Sequence, residues 1–310
     1  MAKYPELSWS IARHKTLMTC ARKYAYHYYT SHNGWLSDID SLPQQTYRLK
    51  KITNLEMHFG SMVHDAIEKA VDHYRKTAEL PDEEKMKDFI RHGLNLAYRD
   101  SYKREFAWWR RPKDYTMLHE VYYGDTVPEE KIDKIKFRLD TVLKNFFASP
   151  TFRDMLNMDK TDFIESEKFR YLRIDGVKVW VVMDLLYYHF DTGKWIIVDW
   201  KTGKQADEDR NQLALYALYV KHTFPVESLD DIVIRNEYLL DGETQEYQLS
   251  EQDLSQVQNI FERSLQEMEQ YMEDTEENAP KPLASFPMQQ NLRICASCNF
   301  QELCFSDGNV

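Results

Sequence analysis

The sequence predicts an α/β fold, a small mixed sheet flanked by helices and preceded by a helical N-terminal region. Three observations carry this. Up to Phe147 the apolar residues recur at helical spacing. From Phe163 to Lys201 the pattern changes to runs rich in β-branched and aromatic residues. Asp175-Gly176, Thr192-Gly193 and Asp241-Gly242 stand between such runs and supply hairpin turn chemistry.

In chain order, Ser8 to Tyr29 reads as a helix capped by Ser8 or Ser10, with Ile11, Leu17, Met18, Tyr24 and Tyr28 as its apolar stripe. A second helix opens near Gly60 and runs to about Lys76, burying Val63, Ile67, Ala70, Val71 and Tyr74. Helices follow from Asp82 to about Arg104 and from Glu129 to Phe147, with loop between them. Phe163 to Ile174, Val177 to Phe190 and Trp195 to Lys201 read as a three-strand antiparallel meander. A helix from about Glu208 to His222 leads to a strand pair, Ile232 to Leu240 and Thr244 to Leu249. An amphipathic helix, Leu254 to Met272, then a proline-rich turn and a cysteine-rich tail end the chain. The chain reads as a single domain over 1–310, organised as N-terminal helices (1–80), a helical insert (81–160), a core (161–275) and a C-terminal cysteine segment (276–310).

A length of 310 residues suffices to bury a full core. No run of about 18 apolar residues is present, and the N-terminus carries no apolar leader, so a cytoplasmic location without membrane contact is expected. The net charge of −11 argues against a protein that coats nucleic acid through overall basicity. Local patches remain: Arg13, Lys15, Arg22 and Lys23; Arg48, Lys50 and Lys51; Lys103, Arg104, Arg110, Arg111 and Lys113. Each is equally readable as a solvated face.

The most informative stretch places Asp184 after Val181-Val182-Met183, and Asp199 and Lys201 within Ile196 to Lys201. A carboxylate inside an apolar strand is costly unless paired or bound to metal. Asp199 and Lys201 are two apart and share a strand face. Asp184 lies one hairpin away, so two carboxylates and an ammonium converge. Such a set suits Mg²⁺ or Mn²⁺, with open positions for water and phosphate.

Asp184 with Asp199-Trp200-Lys201 resembles the active-site motif of the PD-(D/E)XK nuclease superfamily in its RecB-like branch. Ile197 to Lys204 is close to that branch's ivDyKTGk signature. The resemblance implies a restriction-endonuclease-like core and cation binding by Asp184 and Asp199. It also implies that Lys201 activates the attacking water and stabilises the phosphate. Gln212 and Tyr216, at i,i+4 spacing on the following helix, match the branch's QxxxY motif, which contacts DNA. From the residues alone, His64 reads first as a helix histidine satisfied by a neighbour; the resemblance instead matches Gly60 and His64 to a G-x-x-x-H helix whose histidine is a further cation ligand. Glu165 or Glu167 would supply an additional carboxylate; Glu167 fits better, but both are expected on one strand face. Val182 and Met183 stand where relatives often carry Gly and Pro, which removes no ligand.

The four cysteines are Cys20, Cys295, Cys298 and Cys304. Three clustered thiols and one remote one suit tetrahedral zinc or a 4Fe–4S cluster equally by spacing. The resemblance favours the cluster: AddB-type and CRISPR-adaptation nucleases use one N-terminal and three C-terminal cysteines. Ser8-Trp9-Ser10 and Cys20-Ala21-Arg22-Lys23-Tyr24 resemble that family's opening, with Ala21 in place of Pro. The cluster would staple the two ends of the chain together.

The expected function is a Mg²⁺- or Mn²⁺-dependent deoxyribonuclease, exonuclease ahead of endonuclease, acting on single-stranded DNA or DNA ends in repair, recombination, CRISPR adaptation or phage-related DNA processing. The alternative is a catalytically silent DNA-binding or scaffold subunit of the same fold. No Walker-type phosphate loop is present, so a helicase, if used, is a separate partner. The insert around Trp108 and Trp109 reads equally as a single-strand channel, as packed core or as a partner-binding surface.

Overall fold

The computed structural model describes residues 2–167, 169–203 and 209–305. Ser8–Trp9 form a short strand (β1), and Ser10 then caps the helix Ile11–Thr19 (α1) by accepting from the Arg13 amide over 3.1 Å. The expected helix from Ser8 to Tyr29 is therefore divided. It breaks at Cys20, whose extended backbone (φ −166°) restarts the chain as Ala21–Ala25 and then a π-helical turn, Tyr26–Thr30. Helical spacing marks the buried face but does not register a one-residue break in direction.

Leu55–Thr77 (α2) begins five residues before Gly60, because the Asn54 side chain caps it from the Met57 amide at 2.7 Å. Glu83–Lys103 (α3) and Glu129–Ala148 (α4) follow the sequence reading. The stretch between them, read as loop, holds the short helices Glu105–Arg110 and His119–Gly124.

The expected meander is split between two sheets. Its strands are Thr161–Ser166 (β2), Arg170–Ile174 (β3), Val177–Val181 (β4), Leu185–His189 (β5) and Lys194–Lys201 (β6). After them come Asp209–Thr223 (α5), Ile232–Tyr238 (β7), Glu243–Tyr247 (β8) and Glu251–Glu269 (α6). Glu208, the expected first residue of α5, lies outside the described residues. The large sheet runs β8-β7-β6-β5-β2 and the small one β1-β4-β3. The expected runs were longer than the usual strand of about 5–6 residues. The structure resolves that excess by switching sheets at Glu167 on one run and at Val182 to Asp184 on the other, with the Glu167 amide donating to the Met183 carbonyl at 2.9 Å.

In the large sheet only β6 and β7 pair in parallel, and α5 makes the crossover that a parallel pair requires. Alternation along β6 sends Ile196, Val198 and Trp200 toward the helical layer of α2, α3 and α4, while Ile197 meets α5 and α6. The helical segment 81–160 thus packs directly on the sheet through Ile90, Leu139, Val142 and Phe146. A third cluster joins Tyr26, Leu49, Trp108, Phe300 and Leu303, bringing the two ends of the chain together. Among the described residues no helix is long and apolar enough to cross a membrane.

Candidate active site

The sheet switch creates the site. Asp184 is not inside a strand, as the pattern suggested, but at the corner just before β5. Its Oδ2 accepts the Trp200 amide proton at 2.7 Å, tying this corner to β6. On β6, the Lys201 ammonium lies 2.8 Å from Asp199 Oδ2, which realises the shared face inferred from their spacing. Asp184 and Asp199 are only 8% and 2% exposed, so both carboxylates have given up most of their hydration.

From the opposite side α2 brings in His64. Its Nδ1 lies 3.0 Å from Glu167 Oε1 and 3.4 Å from Asp184 Oδ1. His64, Glu167 and Asp184 each present one ligand atom within 4.8 Å of the others, the arrangement a cation needs. Asp199 adjoins this trio through Asp184, and its carboxylate is engaged by Lys201.

The two candidate glutamates separate. Glu165 and Glu167 do not share a face, because β2 carries a register shift between Phe163 and Glu165, and Glu167 takes a left-handed φ of 46°. That conformation is strained for a residue with a Cβ and recurs at functional corners. It turns Glu167 to His64, whereas Glu165 binds Arg170 Nε at 2.8 Å and the Tyr219 hydroxyl at 3.2 Å.

The protonation states follow from burial and crowding. Burial and the negative charge of Asp184 push Asp199 up to about 7, only partly offset by Lys201 and His64. Burial also opposes ionisation of Asp184, but His64, the Trp200 amide and Lys201 outweigh it and hold the carboxyl below its usual range. Burial raises Glu167 against the pull of His64. Burial disfavours a charge on His64, yet Asp184 and Glu167 more than compensate and raise it well above 6.5. Three carboxyl groups thus crowd around one ammonium and one imidazole in a partly buried corner. Protons on Asp199 and Glu167 ease that crowding in the metal-free state, and a divalent cation would take their place, so the residues present fit one.

Gln212 and Tyr216 lie on α5 as expected, with the Gln212 amide donating to the Tyr216 hydroxyl at 2.5 Å. Tyr216 is buried, and its phenol is raised well above 10 by burial and by Asp199 and Asp184 beside it. One supporting residue was not legible from spacing, and Gly60 of the G-x-x-x-H match gains a physical reason. Arg138 on α4 donates to the Thr202 carbonyl, anchoring the turn after Lys201 from within the helical segment. Gly60 allows α2 to approach that turn, since a Cβ there would stand 3.1 Å from Thr202 Oγ1. Lys204 of the signature lies outside the described residues.

The fold brings all four cysteines, as free thiols, to the walls of one cavity of about 550 Å³. Cys20 reaches it from the break after α1, where its Sγ accepts from the Lys23 amide at 3.4 Å. Cys295 and Cys304 come from the short helices Leu292–Ala296 and Gln301–Phe305, and Cys298 from between them. Burial and the neighbouring sulfurs push Cys304 up to about 11, a mutual crowding that bound metal would relieve. The tail is fixed independently by Arg22 Nε to the Phe286 carbonyl (2.8 Å), Gln45 to Glu302 (2.7 Å) and the Tyr123 hydroxyl to the Asn299 carbonyl (2.6 Å).

Trp108 lines no channel. It is 0% exposed and packs with Tyr122, so core packing is the correct reading for it. Trp109 is 37% exposed beneath the Arg48 guanidinium and helps line a groove with Trp35, Arg110, Arg111 and Lys113.

The model of the PD-(D/E)XK nuclease superfamily matches residues 8–305, nearly the whole chain, and the protein belongs to that superfamily. It is a nuclease-fold protein of a class that typically works with divalent metals on DNA. No curated protein matches the chain closely enough to show kinship.

Proposed function

We propose that this chain is a Mg²⁺- or Mn²⁺-dependent deoxyribonuclease of the RecB-like branch, acting on single-stranded DNA or DNA ends, with a 4Fe–4S centre that fastens its termini. The observation that carries the catalytic reading is the meeting of His64, Glu167 and Asp184 beside the Asp199–Lys201 pair. These four ligand residues would hold the cation. When bound, it supplies positive charge and Lewis acidity to a phosphate oxygen. Lys201 donates to the phosphate and stabilises the charge that builds as water oxygen bonds to phosphorus and the bridging P–O bond breaks. Gln212 orients the strand beside Tyr216, and burial of the corner strengthens each of these interactions.

The iron–sulfur reading is supported by four free thiols around one cavity, with one thiol from the N-terminal region and three from the tail. The centre acts as a staple, and its chemistry enters no step of hydrolysis. Iron and sulfide analysis of anaerobically purified protein separates it from zinc.

The deciding experiment is a cleavage assay on end-labelled single-stranded, duplex and circular DNA with Mg²⁺, Mn²⁺ or EDTA, beside Asp199→Ala. Metal-dependent cleavage lost in the variant, and lost on circular DNA, is the expected result. A folded protein that cuts nothing under any condition is instead a silent scaffold subunit.

A further inference from the structure

A second cavity, of about 530 Å³, opens beside the carboxylates and differs in chemistry from them. Its walls come from Ile11 and Lys15 on α1, from Phe169, Trp180 and Val182 at the sheet switch, and from Gln212 and Tyr216 on α5. It is continuous in the chain with the site. Phe169 follows Glu167 by two residues and Val182 precedes Asp184 by two, so the switch that places the carboxylates also places these walls.

Two aromatic rings meet on one wall. Phe169 is 76% exposed and meets Trp180 edge-on at 6.4 Å, and Tyr171 meets Trp180 at 5.6 Å. Tyr171 and Lys178 support Trp180 from outside the cavity, the Lys178 ammonium standing 5.2 Å from the Trp180 ring while it is paired with Glu6 at 2.6 Å. The ammonium among the cavity walls is that of Lys15. Single exposed aromatics are ordinary, but Phe169 and Trp180 share one cavity with Lys15, Gln212 and Tyr216 beside the carboxylates. A cavity of this size takes a small ligand. Aromatic faces with cationic rims bind nucleobases whose own faces are free. In a duplex those faces are covered by neighbouring base pairs.

We propose that this groove seats an unpaired nucleotide adjoining the scissile phosphate, with its base against Phe169 and Trp180, which makes Phe169 a determinant of single-strand preference. The assignment rests on the deoxyribonuclease reading for its substrate. Its recognition chemistry is tested without cleavage. Phe169 touches little of the core, so its truncation spares the fold.

The test is the affinity of a labelled thymidine oligomer of about twelve nucleotides, measured in EDTA with wild type, Phe169→Ala and Phe169→Tyr. Phe169→Ala weakens binding roughly tenfold and Phe169→Tyr restores it. One abasic residue at a single position weakens wild type by a similar factor and leaves Phe169→Ala unchanged, because the same stacking contact is removed from either side. Equal binding by Phe169→Ala, additive losses with the abasic strand, or an equal loss on blunt duplex overturns the proposal. Polyglutamate competition that depends on Phe169 while thymidine binding does not also overturns it. Binding as described from a protein that cuts no DNA leaves the groove standing and removes the nuclease reading. Cleavage with binding indifferent to Phe169 does the reverse.

Discussion

The Trp200 amide donates to Asp184 Oδ2 across 2.7 Å, so a backbone group of one motif fixes the carboxylate of the other. Asp184 heads β5 and Trp200 sits between Asp199 and Lys201 on β6, which makes the spacing of the acidic pair a property of the strand pairing. The same pairing sets Lys201 against Asp199 and leaves the far side of Asp184 to His64.

Lys201→Ala removes the positive partner of a buried carboxylate as well as the proposed phosphate contact. Cleavage rate should fall about 100-fold or more, with a thermal midpoint close to wild type because the ammonium is near the rim of the corner. Rates within a few fold of wild type would refute the role.

His64→Ala leaves Glu167 and Asp184 without the group that draws them together. Mn²⁺ affinity, read by isothermal titration, should weaken at least about tenfold, the scale on which changes around a metal site act. Unchanged affinity would remove His64 from the ligand set.

Metal binding should depend on pH with a defined sign. Asp199, at about 7 in the fold and 3.8 as a free side chain, keeps a proton in the metal-free folded state that the unfolded chain has lost. Metal-free stability therefore falls as pH rises between those values. His64 acts in the same direction: its raised value gives stability that is full below 6.5 and is lost as pH rises through the folded value. A divalent cation replaces those protons. The Mn²⁺-induced rise in thermal midpoint should be larger near pH 8 than near pH 6. An equal or smaller rise at the higher pH contradicts the assignment.

Cys20→Ser tests the proposed cluster from its N-terminal side. Bound iron should be lost, the thermal midpoint should drop by more than about 5 °C, and the segment from Leu292 onward should become sensitive to protease. Retained iron with unchanged melting would show that Cys20 is not a ligand.

Gly60→Val tests the close approach of α2 to the turn after Lys201. Replacing Gly by Val in a helix interior favours the helix by only roughly a few tenths of a kcal/mol, because Val itself stands below Ala, while the new side chain crowds Thr202. Activity should fall while stability holds or rises, as measured by cleavage rate beside thermal melting. A parallel loss of both would place the effect in the core instead.

The sequence by itself determined the superfamily and which side chains share a face. Asp199 and Lys201 share a face because strand side chains alternate, and the i,i+4 pair Gln212 and Tyr216 sits on one helical face for a similarly local reason. Hairpin dipeptides and capping residues likewise set most helices and strands through contacts within a few residues. The tertiary structure decided what depends on distant partners. It split one apparent meander into two sheets, since strand propensity does not say which sheet a strand joins. It chose Glu167 over Glu165 through a left-handed backbone turn, and it brought Arg138 to Thr202 from a segment with no motif. It also gathered Cys20 with three thiols some 275 residues downstream or more, by packing Tyr26 and Leu49 against Phe300 and Leu303. Local spacing fixes the direction of a side chain, whereas long-range packing fixes what it meets.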